Sequence, residues 1–523
     1  MTAAPVQWRP KHNPWAIALV VTMATFMEVL DTSIANVALP HIAGNLSATV
    51  DESTWVLTSY LVANAIILPI SGWLSTRIGR KRFYMICVAL FGVSSLLCGM
   101  APTLGTLVFC RILQGLGGGG LAPSEQAILA DTFEPKKRGV AFAVYGMAVV
   151  LAPAIGPTLG GYITDHFSWR WVFFINIPVA ILSLFLTHRL VEDPPWLRGN
   201  LKKVRVDYIG LGLITLGLGS LQVVLDKGDR EDWLNSHFIL GFTVVAVAAL
   251  IGAVFWEYYE EHPIIDLKLF QTRTFSISAI MMFTLGFTLF GSTVLIPQLL
   301  QTMMGYTAQQ AGMALSPGGL LLLCIMPLIG TLIQKVDARY MIAFGFTILA
   351  LSLWHMTGIT LEMDFGFAVR LRMFQSLGLA FLFVPINTMS YVGVPREKNN
   401  QISGMMNLAR NIGGSVGISL VQTLLSRRAQ VHQVNMAAHT GASDPAFLEG
   451  LSGLIRRFTQ SGVAHDAATQ MAYGRLYGGM LRQSQLLAYV DTIWLFMVAV
   501  ICVIPLAFLM KKAAPGGAPR GAH

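Results

Sequence analysis

Charge is scarce in this sequence. Only 12% of its 523 residues are Asp, Glu, Lys or Arg, about half the roughly 25% of a soluble domain, which excludes a globule whose whole surface faces water. Cysteine is scarcer: five residues in this length form no disulfide framework and rule out a stapled secreted domain. Cys87, Cys98, Cys110, Cys324 and Cys502 fall in apolar stretches, where they read as small hydrophobes. There is no His/Cys/Asp cluster at metal spacing, no Gly-x-Ser-x-Gly and no Ser/His/Asp arrangement, so neither an enzyme nor a bound metal or other cofactor is expected. The run Gly117 to Gly120 is followed by no Lys-Ser/Thr pair and is not a phosphate loop.

What remains is apolar. Hydrophobic residues make up 54% of the chain, in stretches of about 20, the length that crosses roughly 30 Å of hydrocarbon as a helix. About fourteen such stretches run from Trp15 to Met510, which predicts an all-α integral membrane protein. The net charge of +9 does not indicate nucleic acid, because the basic residues occupy alternate loops. Arg77 to Arg82, Lys136 to Arg138, Arg198 to Arg205, Lys268 and Arg273, Lys335 and Arg339, and Lys398 mark the cytoplasmic side, where both termini also fall. Met1 to Pro14 leads straight into a full-length span, so an uncleaved anchor is expected. The outer segment 426–485 carries six arginines but is long enough to escape the charge rule. Its apolar spacing over 446–458 and 467–481 predicts two amphipathic helices.

Internal echoes divide the chain. Leu39-Pro40 is answered by Ile296-Pro297, Gly72 to Arg80 weakly by Gly330 to Ala338, and Arg111 to Gly117 by Arg372 to Gly378, all at an offset of roughly 260 residues. The expected organisation is an N-terminal six-helix bundle at 1–200, a linker with inserted helices seven and eight at 201–265, and a C-terminal six-helix bundle at 266–523 that includes the loop 426–485.

Glu28 and Asp31 lie three residues apart inside the first span, where a charged side chain costs a few kcal/mol and is functional by default. Counting along the helices places Asp31 and Arg111 at similar depths, about 10 Å from the outer surface. The expectation is that Asp31 or Glu28 exchanges a proton for substrate while Arg111 tunes the carboxylate; the alternative is a fixed structural ion pair. Tyr60 and Asn64 on one helix face, and Arg111 with Gln114 on another, suggest a polar interior, as do Gln375, Asn387, Asn407 and Arg410 in the second half. The second half has no acid matching Asp31. Met23, Phe26, Met27, Phe287, Phe290 and Met405 could form an adaptable greasy cavity, although such residues are more often core or lipid-facing. Pro153, Gly156, Pro157, Gly160 and Gly161 would bend the fifth span and let a partner helix approach.

On these residues the whole chain resembles the major facilitator superfamily, and within it the fourteen-span drug/proton antiporters of the EmrB/QacA type. Leu30 to Pro40 (LDTSIANVALP) is similar to the first-helix signature of that branch, and Trp169 to Pro178 (WRWVFFINIP) also looks like it. Gly72 to Arg82 (GWLSTRIGRKR), with Gly72, Arg77, Gly79 and Arg80, resembles the cytoplasmic gate loop, although Thr76 stands where the family has Asp, which puts the loop's charge relay in doubt. Arg111 to Gly115 (RILQG) resembles the proton-coupling motif of the fourth helix, and Gly156 to Gly161 (GPTLGG) the antiporter motif of the fifth. The resemblance implies two pseudosymmetric bundles plus two inserted helices, and export of amphipathic compounds driven by the proton gradient without a cofactor. Arg428, Gln430 and His432 at the start of the outer loop look like the EmrB side of the branch. That implies a bacterial inner membrane, a periplasmic EmrA-like adaptor (membrane-fusion) protein and a TolC-like outer-membrane channel. A proton symporter of the same fold, or an exporter working alone with a self-folded loop, would share most of these features.

Overall fold

The computed structural model describes residues 10–134, 137–194, 207–261, 263–440 and 444–512. The basic residues Lys136, Arg198, Lys202, Lys203 and Arg205 lie outside them. No strand occurs among the described residues. The chain forms α1 (Pro14–Asn45), α2 (Trp55–Ile78), α3 (Arg80–Met100), α4 (Leu104–Thr132), α5 (Arg138–His166), α6 (Trp171–Leu190) and α7 (Tyr208–Lys227). There follow α8 (His237–Tyr259), α9 (Arg273–Thr302), α10 (Ala308–Leu332), α11 (Ala338–Met356), α12 (Phe365–Ser390), α13 (Asn399–Ala437) and α14 (His465–Val503).

Twelve of the described helices are long and apolar enough to cross a bilayer, and α5, bent by 43° next to Pro153, makes thirteen. The remaining expected span, α13, is helical but carries Asn399, Asn400, Asn407, Arg410 and Asn411, too many polar groups for hydropathy alone to mark it. It needs no lipid-facing apolar surface on that side, because it is packed among α2, the second part of α4, α9 and α14.

Two departures from the expected spans follow from local sequence. The fourth span is broken at Gly119 and Gly120, where four consecutive glycines weaken the helix, and restarts at Leu121. The segment 426–485, expected on the outer side, holds one separate amphipathic helix among its described residues, Pro445–Gln460, capped by the Asp444 side chain. The second expected helix is not separate: 467–481 belongs to α14, which runs on into the membrane. At 1.5 Å per residue the 39 residues of α13 extend about 58 Å, so roughly half of it stands clear of a bilayer. The Pro445–Gln460 helix packs on the protruding part of α14, with Leu451, Ala468 and Ala472 buried between them.

Helices α1 to α6 pack on one another, as do α9 to α14, and the two sets meet along two seams. One seam joins α5 to α10 and α12; the other joins α2 and the second part of α4 to α13. The α7 helix lies on the outside of α2, and α8 packs on α7 with Val244, Val247, Ile251, Val254 and Phe255 turned outward. At the end of the bundle that carries the basic loops the seams are closed. Phe142 stacks on Tyr391 with centroids 5.6 Å apart. Gly72 of α2 touches the Asn400 backbone so closely that a Cβ there would lie 3.0 Å from the Asn400 carbonyl oxygen.

Candidate functional site

The α1 helix is the axis of the site. The structure brings Asp31 and Arg111 together and separates both from Glu28. Asp31 is fully buried. Its Oδ2 accepts from Arg111 Nη1 at 2.5 Å, and its Oδ1 accepts from Gln114 Nε2 at 3.1 Å and Asn176 Nδ2 at 2.7 Å. Arg111, equally buried, donates through Nη1 to Gln114 Oε1 at 2.8 Å and through Nε to the Val56 carbonyl at 3.0 Å. Its guanidinium lies over the rings of Tyr60 (4.3 Å) and Phe173 (5.6 Å). The carboxylate thus has donors on both oxygens, one of them a guanidinium.

Glu28 lies one helical turn before Asp31 but faces α2, because three residues turn the helix by about 300° and not a full circle. Its Oε1 accepts from Tyr60 Oη at 3.1 Å and Asn64 Nδ2 at 3.0 Å, and it makes no ion pair among the described residues. It is partly exposed, whereas Asp31 is not. Arg111 over the Tyr60 ring connects the surroundings of the two acids, because the hydroxyl of that ring donates to Glu28.

The expected echo in the second half is visible in atoms. Arg372 Nη1 donates to Gln375 Oε1 at 2.6 Å, as Arg111 does to Gln114, but in place of an acid its guanidinium meets Ser292 Oγ at 3.5 Å. Of the expected cavity residues, Met23, Phe26, Phe290 and Arg410 are partly exposed. Met27, Gln114, Phe287, Gln375, Asn387, Met405 and Asn407 are instead buried in helix packing in this conformer, so they do not line open space. Asn387 is spent on the Phe383 carbonyl (3.0 Å), and Phe287 packs on Phe496 (4.4 Å).

The hinge residues touch the first-helix signature directly. Pro157 has no N–H, which frees the Pro153 carbonyl one turn earlier, and Ser33 Oγ approaches that oxygen at 3.5 Å. Gly156 and Gly160 lie against Ser33 and Ile34, where a Cβ on Gly156 would sit 2.2 Å from Ser33 Oγ; Gly161 faces open space. Gly156→Leu is therefore expected to force α1 and α5 apart at a cost of about 1–3 kcal/mol, read as a lower melting temperature of the purified protein, while Gly161→Ala leaves it unchanged.

In the gate loop Gly79 takes φ 97°, a conformation that favours glycine between α2 and α3. Arg77 stays at the surface, over the Trp73 ring at 5.3 Å. Thr76 only returns a hydrogen bond to Gly72 O. The charge relay is carried by α4 instead: Arg80, 2% exposed, donates through Nη1 to Asp131 Oδ2 at 2.5 Å and to the Ala127 carbonyl at 2.8 Å. Asp131 Oδ1 in turn accepts from Asn399 Nδ2 of α13 at 2.7 Å, which crosses the seam.

Four residues of this network escaped the reading of the sequence: Glu125, Asn176, Asp131 and Asn399. Glu125 had a visible signal, being the single charged residue between Arg111 and Asp131. Asn176 stood inside a recognised motif without a role. Asp131 and Asn399 lie at helix ends, where polar residues are ordinary.

Comparison with known proteins agrees with this architecture. The family model of the Major Facilitator Superfamily matches residues 21–418. The chain is 41% identical to the probable multidrug resistance protein EmrY of Escherichia coli strain K12 over 434 residues, covering 83% of this chain and 84% of that one. It is 35% identical to the multidrug export protein EmrB of the same strain over 512 residues, 97% of each chain. Among solved structures, the proton:xylose symporter XylE superposes with a TM-score of 0.60 at 14% identity over 95% of this chain and 99% of that one, a likeness of fold alone. With helices, seams and arginine motifs placed as that fold requires, the chain belongs to the Major Facilitator Superfamily and is a membrane transporter.

Proposed function

We propose that this transporter exports lipophilic compounds, among them drugs, in exchange for protons, with Glu28 as the proton-exchanging carboxylate. The observation that carries this reading is the contrast between the two acids of α1. Asp31 has a guanidinium and two amides on its oxygens, while Glu28 has only the neutral donors Tyr60 and Asn64 and is partly exposed. A partly exposed carboxyl group with no ion pair among the described residues can gain and lose a proton without breaking a buried salt bridge. Asp31 and Arg111 then serve as the support that positions Tyr60 for Glu28. The names of the EmrY and EmrB relatives support drugs as the substrate class.

The same reading places the protein in a bacterial inner membrane with its basic loops and both termini in the cytoplasm, following the distribution of Lys and Arg. The closed basic end is then the inner seam, and alternating access requires it to open. In this reading the bundles at 1–200 and 266–523 rock about the seams, and the inserted helices of 201–265 ride on α2. The protruding hairpin of α13, Pro445–Gln460 and α14 supplies an outer platform for the adaptor and TolC-like channel of a tripartite pump.

The test is transport in reconstituted vesicles with an imposed proton gradient, using ethidium and rhodamine 6G as probes in exchange and gradient-driven modes. Glu28→Gln is expected to keep probe-for-probe exchange and to lower gradient-driven accumulation at least tenfold. Undiminished gradient-driven transport by this variant rejects Glu28 as the proton carrier.

A further inference from the structure

Among the described residues, Glu125 is the one fully buried carboxyl group that the foregoing leaves without a task. It lies in the second part of α4, about one and a half turns beyond the glycine break and about 10 Å in from the helix end at Thr132. Its Oε1 accepts from Thr22 Oγ1 of α1 at 2.6 Å; its Oε2 is buried and has no hydrogen-bond partner, and neither oxygen joins an ion pair among the described residues. The hydroxyl of Thr25, one turn along α1 toward Glu28, is also buried without a partner. Thr22, Thr25 and Glu28 follow one another at three-residue spacing along α1, so a stripe of protonatable and hydroxyl groups leads from Glu28 toward Glu125.

The surroundings of Glu125 also belong to the moving seam. The adjacent Gln126 accepts through Oε1 from Asn407 Nδ2 of α13 at 3.0 Å, and Asn407 Oδ1 accepts from Tyr145 Oη at 3.4 Å. The Tyr145 hydroxyl is in turn reached by Arg410 Nη1 at 3.2 Å. The titratable and charged groups around Glu125 are Glu28 of α1, Tyr84 of α3, Tyr145 of α5 and Arg410 of α13. Toward the basic end the Arg80–Asp131–Asn399 link closes the same seam.

We propose that Glu125 is a second proton-binding carboxyl group of the transport cycle, sealed by the inner seam in this conformer and opened to water when that seam parts. The inference rests on the proton-exchange reading above. A carboxylate with no ion pair and one oxygen without a hydrogen bond in dry surroundings is costly as the anion and tolerable as the acid, and water removes that difference. Closing the seam therefore favours proton binding, and opening it to the cytoplasm favours release, the order that exchange for an outgoing compound requires. The proton travels as H⁺: it leaves an acid at Glu28 or water on the outer side, is taken by the Glu125 carboxylate, and is handed to cytoplasmic water. With Glu28 and Glu125 both discharging, each cycle carries two protons, so exchange for a neutral or singly charged compound moves net positive charge inward.

The test reads protonation directly and needs no substrate. Infrared spectra of the full-length protein in lipid, titrated with pH, report the C=O stretch of protonated carboxyl groups. Wild type minus Glu125→Gln is expected to show one such band at neutral pH, which persists in the Glu28→Gln background. Asn399→Asp, which sets a like charge against Asp131 and opens the seam, is expected to abolish that band at neutral pH and restore it on acidification. Glu125→Asp, which keeps the acid and shifts the band, serves if the glutamine variant does not fold. The proposal is overturned if replacing Glu125 removes no band at any pH, or if the band does not respond to seam opening, as for a fixed structural acid. Failure of the Glu28 transport test with the Glu125 result intact would instead discard the Glu28 assignment alone.

Discussion

Arg111→Met is expected to destabilise the protein by about 3–5 kcal/mol, because it leaves the Asp31 carboxylate buried without its cation. The amides of Gln114 and Asn176 remain as donors but carry no charge to offset it. Asp31→Asn is expected to cost a similar amount from the other side, since the guanidinium keeps Gln114 and the Val56 carbonyl and loses its anion. The double variant Asp31→Asn with Arg111→Met removes both charges together. It is expected to recover a large part of the loss, giving an interaction energy of a few kcal/mol in the cycle. Thermal melts of the detergent-solubilised protein, followed by size-exclusion recovery, measure all four species. Additive losses would contradict the assignment of this pair as a support, and would return Asp31 to candidacy as the proton carrier.

Asp131→Asn is expected to release the inner seam. It strips the buried Arg80 guanidinium of its counter-charge and weakens the charged link from Arg80 through Asp131 to Asn399. Asn399→Ala removes the crossing hydrogen bond alone, a charge-assisted contact worth about 1.5–3 kcal/mol. That is a change of roughly tenfold to a hundredfold in the balance of closed and open forms, at 1.4 kcal/mol per factor of ten. A cysteine at Ser403, which is fully buried in this conformer, reports the opening. Its reaction with a membrane-impermeant maleimide is expected to quicken at least tenfold in Asn399→Ala and further in Asp131→Asn. Unchanged labelling in both would mean that the Arg80–Asp131–Asn399 link does not hold the seam.

Much of this was legible in the sequence because the bilayer imposes hard rules. Apolar stretches near 20 residues mark the helices, and the arginine echoed at Arg372 meets Gln375 as Arg111 meets Gln114. The motif at Leu30 and the one at Gly156 were separately visible, but their contact through Ser33 was not, since no local pattern records which helices touch. The difference in surroundings between Glu28 and Asp31 was hidden for a related reason. Three residues separate them on one helix, and only the neighbours, Tyr60 and Asn64 for one and Arg111, Gln114 and Asn176 for the other, distinguish their chemistry. The gate loop shows the same limit. Thr76 in place of an acid suggested a broken relay, whereas the anion that Arg80 needs comes from Asp131, some fifty residues away in sequence.

The central claim is that substrate and proton compete at Glu28. Its most direct test is proton release on adding lipophilic probes to purified protein in weak buffer, with wild type, Glu28→Gln and Asp31→Asn compared at equal folded concentration. Release from wild type that is lost in Glu28→Gln and retained by the folded fraction of Asp31→Asn is the predicted result. Release that survives in Glu28→Gln and disappears in Asp31→Asn would contradict it and make Asp31 the exchanging acid.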